Sequence, residues 1–144
     1  MACNIYSSLK RIGLTKAHLR KVALGALAYV NEPDLDVSVH AVGEQRMQTL
    51  NRLFRGIDRP TDVLSFPTND TPQKDDIDAG DIFICPSYVR KQAKRFSVPF
   101  EEEMDRMLIH GILHLRGYDH VTKKQANKMF SMQELIREQI AKNK

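Results

Sequence analysis

The chain has 144 residues, 42% of them hydrophobic and 28% charged, with a formal net charge of +4, enough apolar material for one domain with one core. No apolar run approaches the length of a membrane span, and two distant cysteines, Cys3 and Cys85, make neither a disulfide framework nor a C-x2-C metal motif, which suits a reducing cytoplasmic compartment. The basic balance has the sign of a nucleic-acid binder but decides nothing alone, because many basic globular proteins bind no nucleic acid.

Residues 4–7 are expected to form a short edge strand. Thr15 is a good N-cap for a helix reaching about Tyr29, with Leu19, Val22, Ala23, Ala26 and Leu27 on its buried stripe, and Pro33 ends it. Lys10, Arg11, Lys16, Arg20 and Lys21 all precede the first acidic residue, Glu32. Organellar leaders share that bias, but the preferred reading is an edge strand and an amphipathic helix that belong to the fold. Residues 35–42 alternate apolar and polar, as a half-buried strand does, with His40 on the polar phase as a surface residue and not a metal ligand. A second helix is predicted over 44–54, with Met47, Leu50, Leu53 and Phe54 inward. A loop over 55–60 and a strand over 61–66, terminated by Pro67, come next. Residues 68–79 are polar, acidic and without periodicity, and are expected to be a mobile surface loop long enough for a lid or a substrate rim. The near-continuous apolar run over 80–85 suits the middle of a sheet. Pro86 opens a third helix, from 87 to about 96, that carries Arg90, Lys91, Lys94 and Arg95; a solvated face and a phosphate-binding face fit those cations equally. A final helix is predicted from 123 to about 141. Helices alternating with short strands, without repeats or a linker, give an α+β layered domain over residues 1–144, a small mixed four-stranded sheet packed with about five helices.

The chemistry concentrates in His110-Gly-Ile-Leu-His114-Leu-Arg-Gly117-Tyr-Asp-His120, which holds three of the five histidines. Residues 100–109 lead into it as a helix: Glu101, Glu102 and Glu103 crowd the first turn, where the macrodipole favours them, and Met104, Met107, Leu108 and Leu115 recur at helical spacing. His110 and His114, four apart, stand on one face of that metal-binding helix. Gly117 can stop it at little cost, so that the chain turns back and brings His120 to the same point. A single histidine among apolar residues is ordinarily a hydrogen-bonded core residue. Three at ligand spacing with no fourth side chain are the arrangement of a catalytic zinc site with an open position, whereas structural zinc usually takes four protein ligands. The spacing H-x3-H-x5-H, with Gly117 between the last two, is also the histidine frame of the metzincin proteases, but these carry Glu after the first histidine and this chain has Gly111. A peptidase without its base is discounted in favour of a zinc hydrolase of another substrate.

Other segments join this one. Asn51-Arg-Leu-Phe-Arg55 leads into Arg59-Pro-Thr-Asp-Val-Leu-Ser-Phe-Pro67, and Gly80-Asp-Ile precedes the histidine block. Over nearly the whole chain they closely resemble the YbeY family of single-domain, metal-dependent endoribonucleases of ribosomal RNA maturation and ribosome quality control. Family members usually have Leu before Gly-Asp-Ile, where this chain has Ala79. The resemblance implies one Zn2+ per chain on His110, His114 and His120, with His114 and Arg55 catalytic and Arg55 on the RNA phosphate. It further implies a cytoplasmic, single-strand-specific enzyme acting in 16S rRNA 3′-end maturation, with the small ribosomal subunit and its assembly factors as partners and no membrane or DNA role. Arg59, Lys91, Lys94 and Arg95 join Arg55 as candidate substrate-binding cations.

The chemistry of the residues agrees with this. Zinc on three neutral imidazoles keeps its full charge and lowers the pKa of bound water to about 7, while a guanidinium fork stabilises charge on phosphate oxygens. Whether hydroxide or an RNA 2′-hydroxyl attacks stays open, as does the role of Asp119, which could accept a proton from a ligand histidine or cap a turn. The reading from another class is a ribosome- or RNA-binding assembly factor with a structural metal and little catalysis.

Overall fold

Alternation at a period of two is realised in β2 (Asp36–Ala41), where Val37, Val39 and Ala41 are buried and the residues between them half-buried. In the computed structural model, which describes residues 3–142, this strand lies inside a four-stranded sheet of order β1-β2-β4-β3. The outer strand β1 (Cys3–Ser7) and the inner strand β4 (Asp78–Ile84) run parallel to β2, and β3 (Val63–Pro67) runs antiparallel to β4. The architecture is α+β, with a mixed sheet and five helices among the described residues. As its apolar run requires, β4 occupies an interior position.

Helix α1 (Lys16–Tyr29) crosses from β1 to β2. The Thr15 hydroxyl accepts from the His18 backbone N–H at 3.0 Å, and all five residues of the expected stripe are buried. The helix expected to carry the metal ligands is α4 (Phe100–Leu115), whose Met104, Leu108, Ile109, Ile112, Leu113 and Leu115 are fully buried. It packs on β3 and β4 and against α1, α3 (Pro86–Arg95) and α5 (Lys123–Lys142). Successive strand residues face opposite ways, and so a second, smaller cluster forms on the other side of the sheet. There α2 (Glu44–Arg55) sets Met47 beside Val42, Leu64 and Cys85, with Leu50, Phe66 and Phe83 packed against them.

Three expectations are corrected here. Leu53 and Phe54 do not point inward; they are 65% and 64% exposed. Leu53 lies well off the Met47–Leu50 stripe at 100° per residue. Phe54 is on the stripe but meets only the edge of Phe66, at 5.0 Å between ring centroids. The buried place on that face is taken by Asn51. The segment after β3, expected to be a mobile surface loop long enough for a lid or a substrate rim, is tied to the end of α4: Arg116, itself nearly buried, donates to Asp76 at 3.3 Å and to the Gln73 carbonyl at 3.1 Å, and it pairs with Glu32. The strand after it begins at Asp78, earlier than residue 80, because Asp36 already pairs there.

Candidate metal centre

The site begins with how α4 stops. Gly117 has φ +93°, a conformation that glycine enters freely, and the N–H groups of Gly117 and Tyr118 cap the His114 and Leu113 carbonyls at 3.1 Å each. The chain therefore reverses, and His120, which stands on the following loop and not on the helix, returns to the helical pair. One candidate ligand nitrogen each from His110, His114 and His120 lies within 4.8 Å of the others, and no thiol or carboxylate joins the group among the described residues. His40, by contrast, stacks between Tyr6 and Phe83 at the other side of the sheet and donates to Asp81 at 2.9 Å.

A side chain that the sequence pattern did not single out orients the first of these histidines. Gln133 on α5 is buried, and its Oε1 accepts from His110 Nδ1 at 2.9 Å, which puts the proton on Nδ1 and leaves the Nε2 lone pair for a metal. Burial holds the His110 pKa below the ordinary imidazole value. For His114 burial is again the first cause, with charge repulsion from His110 and His120 behind it, and the pKa falls to about 4. Both shifts favour neutral imidazoles, the form that binds a metal. Three imidazole donors in a partly open recess could hold a metal ion and leave it a free coordination position.

The recess is a cleft of about 570 Å3 lined by the three histidines, Arg55, Thr61, Asp62, Ser65, Pro67 and Asp119, among others. Arg55 is the last residue of α2 and is exposed, and its positive charge is felt at His114. Behind it Asn51 Nδ2 donates to the Arg59 carbonyl at 2.8 Å, and the Asn51 carbonyl accepts from Ile57 N–H at 3.3 Å. These bonds tie the turn after Arg55 to its own helix. Asp62 Oδ1 accepts from the Val63 N–H at 2.7 Å and from the Thr61 hydroxyl at 3.2 Å. Asp119 caps its turn, accepting from the His120 N–H at 2.7 Å.

Gly111 is explained by the sheet. A Cβ there would lie 3.2 Å from Ile82 and 3.3 Å from Ser65 Oγ, and that hydroxyl donates to the Gly111 carbonyl at 3.0 Å. The position that carries Glu in the metzincin frame thus faces β3 and β4 at close quarters.

The other candidate cations are not brought to the cleft. Arg59 is exposed and does not line it. On α3, Lys91 is held by both oxygens of Glu44 at 3.1 Å, and Arg95 lies over the Phe96 ring at 5.4 Å. Lys91 and Lys94 line a separate pocket with Arg90, Val98 and Phe100.

With this geometry in place, comparison with known proteins is informative. The family model described as Endoribonuclease YbeY matches residues 4–141. The Endoribonuclease YbeY of Persephonella marina is 40% identical over 129 residues, covering 88% of this chain and 84% of that protein. That of Thermotoga maritima is 43% identical over 108 residues, covering 74% and 69%. The solution structure of TM1509 from Thermotoga maritima superposes with a TM-score of 0.68 at 34% identity, over 96% of this chain and 89% of that one.

Proposed function

The chain belongs to the YbeY family of endoribonucleases, hydrolases acting on RNA phosphodiester bonds, and from that premise we propose that it is a zinc-dependent, single-strand-specific enzyme of ribosomal RNA processing. The observation that carries this reading is the convergence of three carboxylate-free imidazoles with Arg55 in one cleft. His110, His114 and His120 would hold the ion. When bound, zinc supplies Lewis acidity toward a phosphoryl oxygen or a water molecule. Arg55 offers a planar fork of donors to the non-bridging phosphate oxygens, where charge grows in the transition state. Gln133 keeps His110 in the tautomer that presents Nε2. Asp62 brings to the lining a negative charge that is felt at His110, with one oxygen already committed to backbone. In this proposal Arg59, Lys91, Lys94 and Arg95 act outside the cleft, by long-range attraction of a polyanion.

The site proposed for this chain is 16S rRNA at its 3′ end, in the cytoplasm, with the small ribosomal subunit and its assembly factors as partners. No helix among the described residues is long and apolar enough to cross a membrane. The test is cleavage of end-labelled single-stranded and duplex RNA by metal-quantified protein, before and after chelation and with zinc restored, beside a casein control. Loss on chelation, recovery with zinc and preference for the single strand are expected. Binding without cleavage at full zinc occupancy would instead favour an assembly factor with a structural metal.

A further inference from the structure

The helix that supplies Gln133 also sets a second side chain beside His110. Phe130, one turn earlier on α5, lies with its ring nearly parallel to the His110 imidazole, at 20° and 6.4 Å between centroids. It is 48% exposed, and the helix buries Met129, Gln133, Ile136 and Ile140 instead. A large apolar ring left open to water beside a cluster of ligand nitrogens contributes little to the core.

Its neighbours on the helix surface are polar in a particular order. Residues three, four and seven apart share a face, so Asn127 and Lys123 continue the stripe from Phe130 toward the start of α5. Both are exposed. A cation, an amide and an aromatic ring thus stand in a row that ends on His110. These are the groups that engage an unpaired strand: a phosphate takes the cation, a base edge the amide, and a base face the ring.

We propose, on the basis of the RNA-cleaving reading above, that Phe130 is the stacking platform for an unpaired base next to the scissile phosphate, with Lys123 holding a neighbouring phosphate. Arg55 lines the cleft with the three histidines, and Phe130 lies outside that lining, next to His110, so a strand that runs from Arg55 past His110 would reach the ring. The platform also accounts for strand preference. A base inside a duplex has both faces covered by its neighbours and cannot lie on the ring without unstacking.

The test uses zinc-loaded protein and a 2′-O-methylated single-stranded oligoribonucleotide, checked by gel to be intact at the end of each binding measurement, with 2-aminopurine as the reporting base. Phe130→Leu keeps apolar bulk and removes the ring, Phe130→Ala removes both, and Phe130→Tyr keeps the ring. The Leu and Ala variants are expected to bind the strand about tenfold more weakly, and the Tyr variant about as well as the parent, because stacking follows the ring. Zinc content should be the same in all of them. On cleavable RNA the Leu variant should lose most of the preference for single strands over duplex. Parent-like binding by Phe130→Leu would overturn the proposal, and so would a loss that follows a loss of zinc, since the ring would then only shield His110. A zinc-loaded parent that neither binds nor cuts RNA would sink the ribonuclease reading itself, a result distinct from either of these.

Discussion

The two halves of α4 each carry a polar cluster against α5, and the clusters are built in opposite senses. Toward the N-terminal end, Arg106 donates to Glu103 at 2.6 Å, to Glu134 at 2.7 Å and to Glu102 at 3.2 Å. Arg137 closes the group on Glu134 at 3.1 Å and on Glu102 at 3.5 Å, and Gln92 completes Glu103 at 2.6 Å. The carboxylates raise the Arg106 pKa, the hydrogen bond that Arg106 donates to Glu134 contributing most. Toward the C-terminal end, three imidazoles gather with a single neutral amide behind one of them. A cluster whose donors and acceptors use each other up fastens two helices; one whose lone pairs face an open cleft is left able to bind. Both start from spacings of three or four along α4, Glu102, Glu103 and Arg106 in one and His110 and His114 in the other, and both are completed by residues from outside that helix.

Substitutions at each end should separate these roles. The largest effect belongs to the open cluster: His114→Ala is expected to lose stoichiometric zinc and with it RNA cleavage, because two imidazoles hold the ion weakly against water. Elemental analysis of the purified variant measures this, and full zinc occupancy would mean that the ligand set is different. Arg55→Glu comes next. Cleavage should fall by orders of magnitude while zinc content and melting temperature stay near those of the parent, since the side chain is exposed; parent-like turnover would remove Arg55 from the site.

The closed cluster should respond in the complementary way. Arg106→Met leaves the nearly buried Glu103 without its ion-pair partner, and should cost about 3 kcal/mol of stability. Zinc content of the folded fraction should not change. Denaturant titration beside metal analysis decides it, and zinc loss at unchanged stability would contradict the division drawn between the two ends.

Smaller effects sharpen the same contrast. Gly111→Ala gains helix propensity but drives a methyl group against Ile82, which is fully buried, and Ser65, whose hydroxyl is held by a hydrogen bond. Overpacking should outweigh propensity and leave a net loss of about 1 kcal/mol; a rise in melting temperature would show that the strands can yield. The smallest effect is expected at α3, where Lys94→Glu should weaken RNA binding a few-fold and reduce the salt slope by about one, with the maximal rate of cleavage unchanged.

Legibility in the sequence followed the range of the interactions involved. The α1 stripe, the interior position of β4 and the stop at Gly117 depend on periodicity or on one residue's conformational freedom, and each was readable. The histidine cluster was readable for the same reason: one helical turn and one reversal, both local, bring its members together. Phe54 misled because amphipathic spacing says which way a residue faces and not whether the sheet extends beneath it, whereas Leu53 lies off the buried stripe and the helical period itself turns it outward. Polarity and lack of period described the segment after β3 correctly as irregular, yet could not show that Arg116 anchors it through Asp76 and Gln73.

The sequence by itself determined the elements and the local metal frame, since both follow from steric rules acting over a few residues. Only the tertiary structure decided which polar groups are used up and which are left free. Gln133 reaches His110 from 23 positions away, Ser65 meets the Gly111 carbonyl from 46, and Lys91 of the basic helix is taken by Glu44. Partnerships of that kind depend on distances set by the packing of α4 against the sheet and α5, and no spacing along the chain encodes them.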